Sequence, residues 1–178
     1  MARIVGYIAS SLDGFIATED DSLDWLFAYD GLDLGEHDYR NFLQGIRTVV
    51  MGRRTYDFLE QDAAPWAYGE QRVLVVTSRP ISDPKGPLET RNDVDALISE
   101  LRDLEDGDVW ILGGGELQMA FIERHALDGI EIYMMPELLG GGKPLFPPSG
   151  FRDGLRLIEA DALDRGCVRL QYAFDHVS

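Results

Sequence analysis

The chain has 178 residues, enough for one domain with a real core and not clearly enough for two. An apolar content of 45% excludes a disordered chain, and a single cysteine, Cys167, excludes an intrachain disulfide or a cysteine cage for a metal. The net charge is −16, so the surface repels nucleic acid and anionic membrane, and repels an anionic ligand too unless arginines gather around it.

Residues 3–9 (RIVGYIA) read as a first strand. The polar stretch from Ser10 interrupts this apolar run too early for a signal peptide or a membrane span, so a cytoplasmic protein is expected. Residues 10–35 are rich in Ser, Asp and Gly and read as a long, loose connection, the kind that is usually functional or mobile. Over residues 36–46, Tyr39, Phe42, Leu43 and Ile46 fall at helical spacing. A short strand, TVVM at 48–51, ends at Gly52, and a short helix follows over 54–60. RVLVVT at 72–77 is another strand, stopped by Ser78, Arg79 and Pro80. Residues 93–104 place Val94, Leu97, Ile98 and Leu101 on one helical face, with Asn92 or Asp93 as N-cap. A strand at 109–112, a helix at 116–124 and a strand at 130–135 follow. Residues 168–174 alternate apolar and polar, as an antiparallel strand at a sheet edge does. The alternation of strands and helices predicts one α/β domain over 1–178, with a mostly parallel sheet covered on both faces and antiparallel strands at its end.

Three consecutive glycines, Gly113, Gly114 and Gly115, lie between the strand at 109–112 and the helix that follows. Ligands bind beyond the carboxyl ends of parallel strands, and the free N–H groups of a helix start attract anions. A tight turn needing positive φ would require only one glycine, so the triplet reads as an anion cradle suited to a pyrophosphate. It matches neither the G-x-G-x-x-G fingerprint nor the Walker pattern. A second triplet at 140–142 precedes no helix and reads as a loop.

Two more strand ends carry cations and hydroxyls: Gly52, Arg53, Arg54 and Thr55 at one, Thr77, Ser78 and Arg79 at the other. Guanidinium forks match phosphate geometry, and in a chain with so few cations their placement points to a phosphorylated ligand. One or two charge-assisted bonds to a ribose 2′-phosphate would favour NADPH over NADH by roughly tenfold to several hundredfold.

VVMGRRTY, VLVVTSRP and VWILGGGELQMAFI, in that order, with IASSLDGFIA before them and IEIYMMPELLGGGKPLF after, resemble the dihydrofolate reductase superfamily. They look most like its branch related to the reductase domain of bacterial riboflavin biosynthesis. The resemblance implies a three-layer α/β/α fold around a mainly parallel sheet of about eight strands, a homodimer, and NADPH as hydride donor. It places Gly52, Arg53, Arg54 and Thr55 at the 2′-phosphate and pyrophosphate, and Thr77, Ser78 and Arg79 beside the adenosine phosphate. Gly113, Gly114, Gly115, Glu116 and Leu117 would hold the pyrophosphate on backbone amides, Ala9 and Ile16 would lie against the nicotinamide, and residues 17–26 would form a mobile flap.

The substrate side departs from the pattern. Folate-reducing members carry an acid early in the helix before MGRRT. An ungapped count reaches Glu36 here, which could relay a proton or simply stabilise a helix start. Asp24 is a second candidate, and Asp13 of SLDG a third, though a turn before Gly14 would also use an aspartate. Riboflavin reductases usually carry lysine four positions before the serine of SLDG, where this chain has Tyr7. Nothing in the sequence suggests a metal. The leading expectation is an NADPH-dependent reductase of a heterocyclic imine or carbonyl, such as a ribosylaminopyrimidine. The alternatives are dihydrofolate reduction and a non-catalytic nucleotide-binding module.

Overall fold

A computed structural model describes residues 1–175. In chain order it runs β1 (Ile4–Ser11), β2 (Phe15–Ala17), α1 (Asp24–Phe27), α2 (Tyr39–Gly45), β3 (Ile46–Gly52), α3 (Arg53–Gln61), β4 (Arg72–Val76) and β5 (Glu89–Arg91). It continues with α4 (Val94–Arg102), β6 (Asp108–Gly113), α5 (Gly115–Glu123), β7 (Gly129–Met135), β8 (Lys143–Pro144), β9 (Leu155–Ala162) and β10 (Val168–Phe174), with single 3-10 turns at Gly35–His37 and Asp164–Gly166.

Eight strands form one sheet in the order β5-β4-β3-β6-β1-β7-β10-β9. The first six in that order pair parallel, and β10 and β9 add antiparallel pairings at the end. This is the expected α/β architecture. The strand runs read as almost wholly apolar because both faces are covered. Ile4, Val50, Leu74 and Ile111 meet α4 and α5 through Leu97, Leu101, Leu117 and Phe121. On the opposite face Val5, Val49, Met51, Val75 and Trp110 meet Tyr56 of α3.

Several elements differ from expectation. The single helix expected over 36–46 is interrupted at Asp38, whose extended backbone and side chain cap α2 instead. Ile46, expected as a helix residue, begins β3, because it pairs with Asp108 of β6. The connection over 10–35 is less loose than its composition suggests. It contains β2 and α1, and Thr18 closes a turn with Ser22.

β5 had no apolar pattern to reveal it. Its three residues, Glu-Thr-Arg, join the sheet through an ion network. Arg72 reaches Glu89 at 2.7 Å and Glu100 at 2.8 Å, and Arg91 reaches Glu100 at 2.7 Å. Arg72 first, then Arg91, hold the Glu89 carboxyl down from 4.5 to about 2. Its stabilising effect is therefore complete above pH 4.5 and is lost as pH falls toward 2. Urea midpoints at about pH 5 and about pH 3 should differ less for Glu89→Gln than for the parent. Because Glu89 is half-exposed, the difference should stay below about 1 kcal/mol.

Candidate functional site

Neighbouring parallel strands bring three of the sequence-predicted turns to one edge. Gly52 lies opposite Val76, and Met51 opposite Gly113, so β4, β3 and β6 end side by side. Gly52 leads into α3 and Gly114 into α5, and neither helix start carries a side-chain cap. Their first-turn N–H groups are left for solvent or a ligand. The two starts touch. A Cβ on Gly52 would lie 3.7 Å from the Gly113 carbonyl oxygen, and one on Gly114 would lie 3.7 Å from Thr55 Oγ1.

The cations at this rim divide into two kinds. Arg53 is committed to the protein, donating to Asp57 at 2.7 Å and to the carbonyls of Arg79 and Pro80 at 3.2 Å. It ties α3 to the turn after β4. Thr77 supports the same turn, its hydroxyl accepting from the Arg79 N–H. Arg54, Ser78 and Arg79 are exposed, and their side chains have no hydrogen-bond or ion-pair partner among the described residues. Glu116 is also exposed, while Leu117 is buried.

The glycine triplet serves three different needs. Gly113 has φ +133°, in the region that favours glycine, and its bond to Gly114 is cis. Gly114 lies against Thr55. Gly115 faces protein, since a Cβ there would lie 2.6 Å from the Pro144 carbonyl oxygen. The second triplet is a loop, as its sequence implied, and a Cβ on Gly142 would collide with the Ala17 carbonyl oxygen.

Over one face of β1 and β7 lies a cavity of about 230 Å³. Tyr7, Ala9, Tyr133 and Met135 form its sheet side, and Leu26, Tyr29, Asp30, Gly31, Leu32 and Leu34 close it. Ala9 thus borders the cavity, whereas Ile16 packs toward the core on the other face of the sheet. None of the three acids singled out in the sequence lines this cavity. Asp24 and Glu36 are exposed. Asp13 accepts from Ser11 Oγ at 2.6 Å and from the N–H groups of Leu139 and Gly140, and the Ser11 bond leads in holding its carboxyl below the ordinary value. Asp13 clasps the 11–14 turn to the loop after β7.

Asp30 borders the cavity directly, and two further carboxylates approach it through tyrosines. The Tyr29 hydroxyl donates to Glu137 at 2.9 Å. The Tyr133 hydroxyl has two acceptors within reach of its one proton, Glu131 at 3.2 Å and the His37 carbonyl at 3.3 Å. The Tyr7 and Tyr133 rings lie with centroids 4.8 Å apart, tilted by 45°. Burial, then Tyr133, pushes the Tyr7 hydroxyl far up, burial raises Tyr133 to about 12, and the bond to Glu137 raises Tyr29. All three stay protonated at neutral pH. A row of polar groups continues across the sheet, where Arg169 holds Glu131, Glu159 and Asp161 at 2.8–2.9 Å. His37, Glu159 and Asp161 could together face a cation, but Arg169 already neutralises two of them. Glu131, Tyr133 and Arg169 escaped the sequence reading, and Tyr7 entered it only as a departure from the lysine of the riboflavin reductases. Each sits at an inward position of a strand, but nothing local pairs residues so far apart in the chain.

A family model described as the RibD C-terminal domain matches residues 3–169. The Bacillus subtilis (strain 168) protein YwjB, itself uncharacterized, is 36% identical over 145 residues, 81% of this chain and 82% of its own length. A crystal structure of a putative riboflavin biosynthesis protein from Shewanella sp. PV-4 superposes with a TM-score of 0.83 at 27% identity, covering 99% of this chain and 100% of the other. Dihydrofolate reductase from Enterococcus faecalis, complexed with NADP(H), shares the fold with a TM-score of 0.65 at 17% identity, over 97% of this chain and 96% of its own. Among the described residues no helix is long and apolar enough to cross a membrane.

Proposed function

The chain belongs to the RibD C-terminal domain family, and from that premise we propose that it is an NADPH-dependent reductase of a heterocyclic C=N or C=O group. One observation carries the reading: two uncapped helix starts and two unpartnered arginines share a strand-end rim. In this reading Arg54, Ser78 and Arg79 take the 2′-phosphate. Arg53, Thr55 and Thr77 shape that corner, and the amides of 113–117 take the pyrophosphate. The nicotinamide extends toward Ala9, whose small side chain leaves room for it. Bound NADPH supplies the hydride, and the protein positions the substrate and excludes bulk water. The heteroatom takes its proton from water admitted to the cavity.

The test is consumption of NADPH, followed at the nicotinamide absorbance band, with ribosylaminopyrimidines and then dihydrofolate. Turnover of a ribosylaminopyrimidine is expected. Turnover of dihydrofolate alone would make the protein a dihydrofolate reductase. Tight NADPH binding with no turnover across a broad set of heterocycles would make it a binding module. Failure to bind NADPH would end the proposal. A cytoplasmic setting, where NADPH is supplied, accompanies this reading.

We further propose a homodimer through the outer face of β9 and β10. Leu155, Leu157 and Ile158 are 39%, 51% and 49% exposed. Beside them lies an apolar groove of about 460 Å³ walled by Met119, Ile122, Phe151, Tyr172 and Phe174. A ridge next to a groove on one face suits a two-fold contact, in which each copy fills the other. Between two copies of charge −16 the contact has to be apolar, as this face is. Sedimentation should give a dimer for the parent chain and a monomer for Leu157→Asp; a monomeric parent would refute the interface.

A further inference from the structure

The stretch 23–34, which supplies Leu26, Tyr29, Asp30, Gly31, Leu32 and Leu34 to the cavity, is joined to the fold by few bonds. The N–H groups of Leu26, Phe27, Tyr29, Asp30 and Leu32 all donate to carbonyls inside the same stretch. Beyond its neighbours in the chain, its hydrogen bonds among the described residues run to two residues. Tyr29 donates to Glu137 at 2.9 Å. Arg165, in the turn between β9 and β10, donates to the carbonyls of Ala28, Tyr29 and Asp30 at 3.3, 3.2 and 3.1 Å. The remaining hold is apolar, through Trp25, Leu26, Leu32 and Leu34 packed against Tyr133, Met135 and Cys167. A segment with local backbone bonds and few tethers opens more easily than the sheet beneath it.

Arg165 is unusual in its own backbone. Its φ is +51°, a conformation that arginine rarely adopts and that costs glycine nothing. The turn by itself has no use for an arginine there, whereas three consecutive carbonyls match the several donors of a guanidinium. Trp25 pulls the other way. Its indole N–H is buried without a partner among the described residues, and opening would give it water. We propose that Arg165 is a positioning residue of the cavity: it latches residues 23–34 over Ala9, Tyr133 and Met135, and that stretch swings away as one piece when the latch lets go. The piece is offset from the 17–26 flap implied by the family resemblance, since Thr18 and Ser22 close a turn of their own. The proposal deepens the reductase reading and rests on it for its role in turnover, which is to admit the substrate and then hold it.

Hydrogen exchange followed by NMR on the full chain tests this with Arg165→Gly. Glycine suits the left-handed turn, so the variant removes the guanidinium without straining the backbone. The amides of Leu26, Phe27, Tyr29, Asp30 and Leu32 should all exchange faster, by a similar factor of about tenfold or more. One charge-assisted bond is worth about that much, and with the Arg165 side chain 40% exposed, screening takes back part of the other two. Amides of β1 and β7 should keep their rates. Fluorine NMR of the chain labelled with 5-fluorotryptophan gives a second readout. The Trp25 resonance, assigned by its loss in Trp25→Phe, should move toward its unfolded-state position while those of Trp66 and Trp110 stay. A general loss of stability would instead speed every amide and move all three resonances. Neither measurement uses nucleotide or substrate, so the result stands whether or not NADPH is turned over. Wall amides unprotected in the parent, exchange or a Trp25 resonance unchanged in Arg165→Gly, acceleration confined to one end of the wall, or equal loosening of the sheet would overturn the proposal.

Discussion

Replacing Arg54 and Arg79 together with alanine should weaken NADPH binding by roughly tenfold to several hundredfold while leaving NADH binding nearly unchanged. The two side chains are exposed and unpartnered among the described residues, at neighbouring strand ends, so their guanidinium groups are free to take a phosphate. Each charge-assisted bond contributes about 1.5–3 kcal/mol, and screening at this exposed rim favours the lower end. The nucleotide without a 2′-phosphate has little to lose. Arg53 offers the contrast. Its bonds to Asp57 and to the carbonyls of Arg79 and Pro80 hold the turn itself. Arg53→Ala should therefore weaken both nucleotides by similar factors. Calorimetric titration of NADPH and NADH against the three proteins separates the roles. Unchanged NADPH affinity in the double variant would remove the phosphate from this corner, and with it the main support for the cofactor assignment.

Arg169→Met should be the most damaging single substitution to stability. Arg169 is only 4% exposed, and burial opposes its charge. Its bonds to Glu131, Glu159 and Asp161 outweigh that cost and hold the guanidinium above its ordinary value. Methionine matches much of the volume but leaves three carboxylates facing one another without a counter-charge. Breaking a buried ion pair in this way costs about 3 kcal/mol or more. For a domain of this size that is a fall in Tm of roughly 6–12 °C, measurable by calorimetry. A triple variant decides the cause. Adding Glu131→Gln and Asp161→Asn to Arg169→Met should recover part of the loss, because two of the three stranded charges are gone and Glu159 no longer faces another carboxylate of the set. If it recovers nothing, packing around the guanidinium stem, and not charge, supports β10 and its neighbours.

The sequence by itself determined the elements whose signal is local. Apolar runs became β3, β4 and β6, helical spacing became α4, and strand alternation became β10. The glycine and arginine turns were also legible, because a strand-to-helix corner is a contiguous stretch of residues. Elements without an apolar pattern were not. β5 is polar and joins through ion pairs, β8 is two residues long, and β9 shows little burial in the chain to give it a period. The cavity was decided only by tertiary structure. Parallel pairing sets Tyr7 beside Glu131 and Ala9 beside Tyr133, and antiparallel pairing then sets Arg169 beside Tyr133 and Asp161. Register across strands over a hundred residues apart follows from the packing of both sheet faces together, and no local window contains that information. For the same reason the acids that stood out in the sequence lie outside the cavity, while Asp30 lines it and Glu137 and Glu131 approach it through Tyr29 and Tyr133.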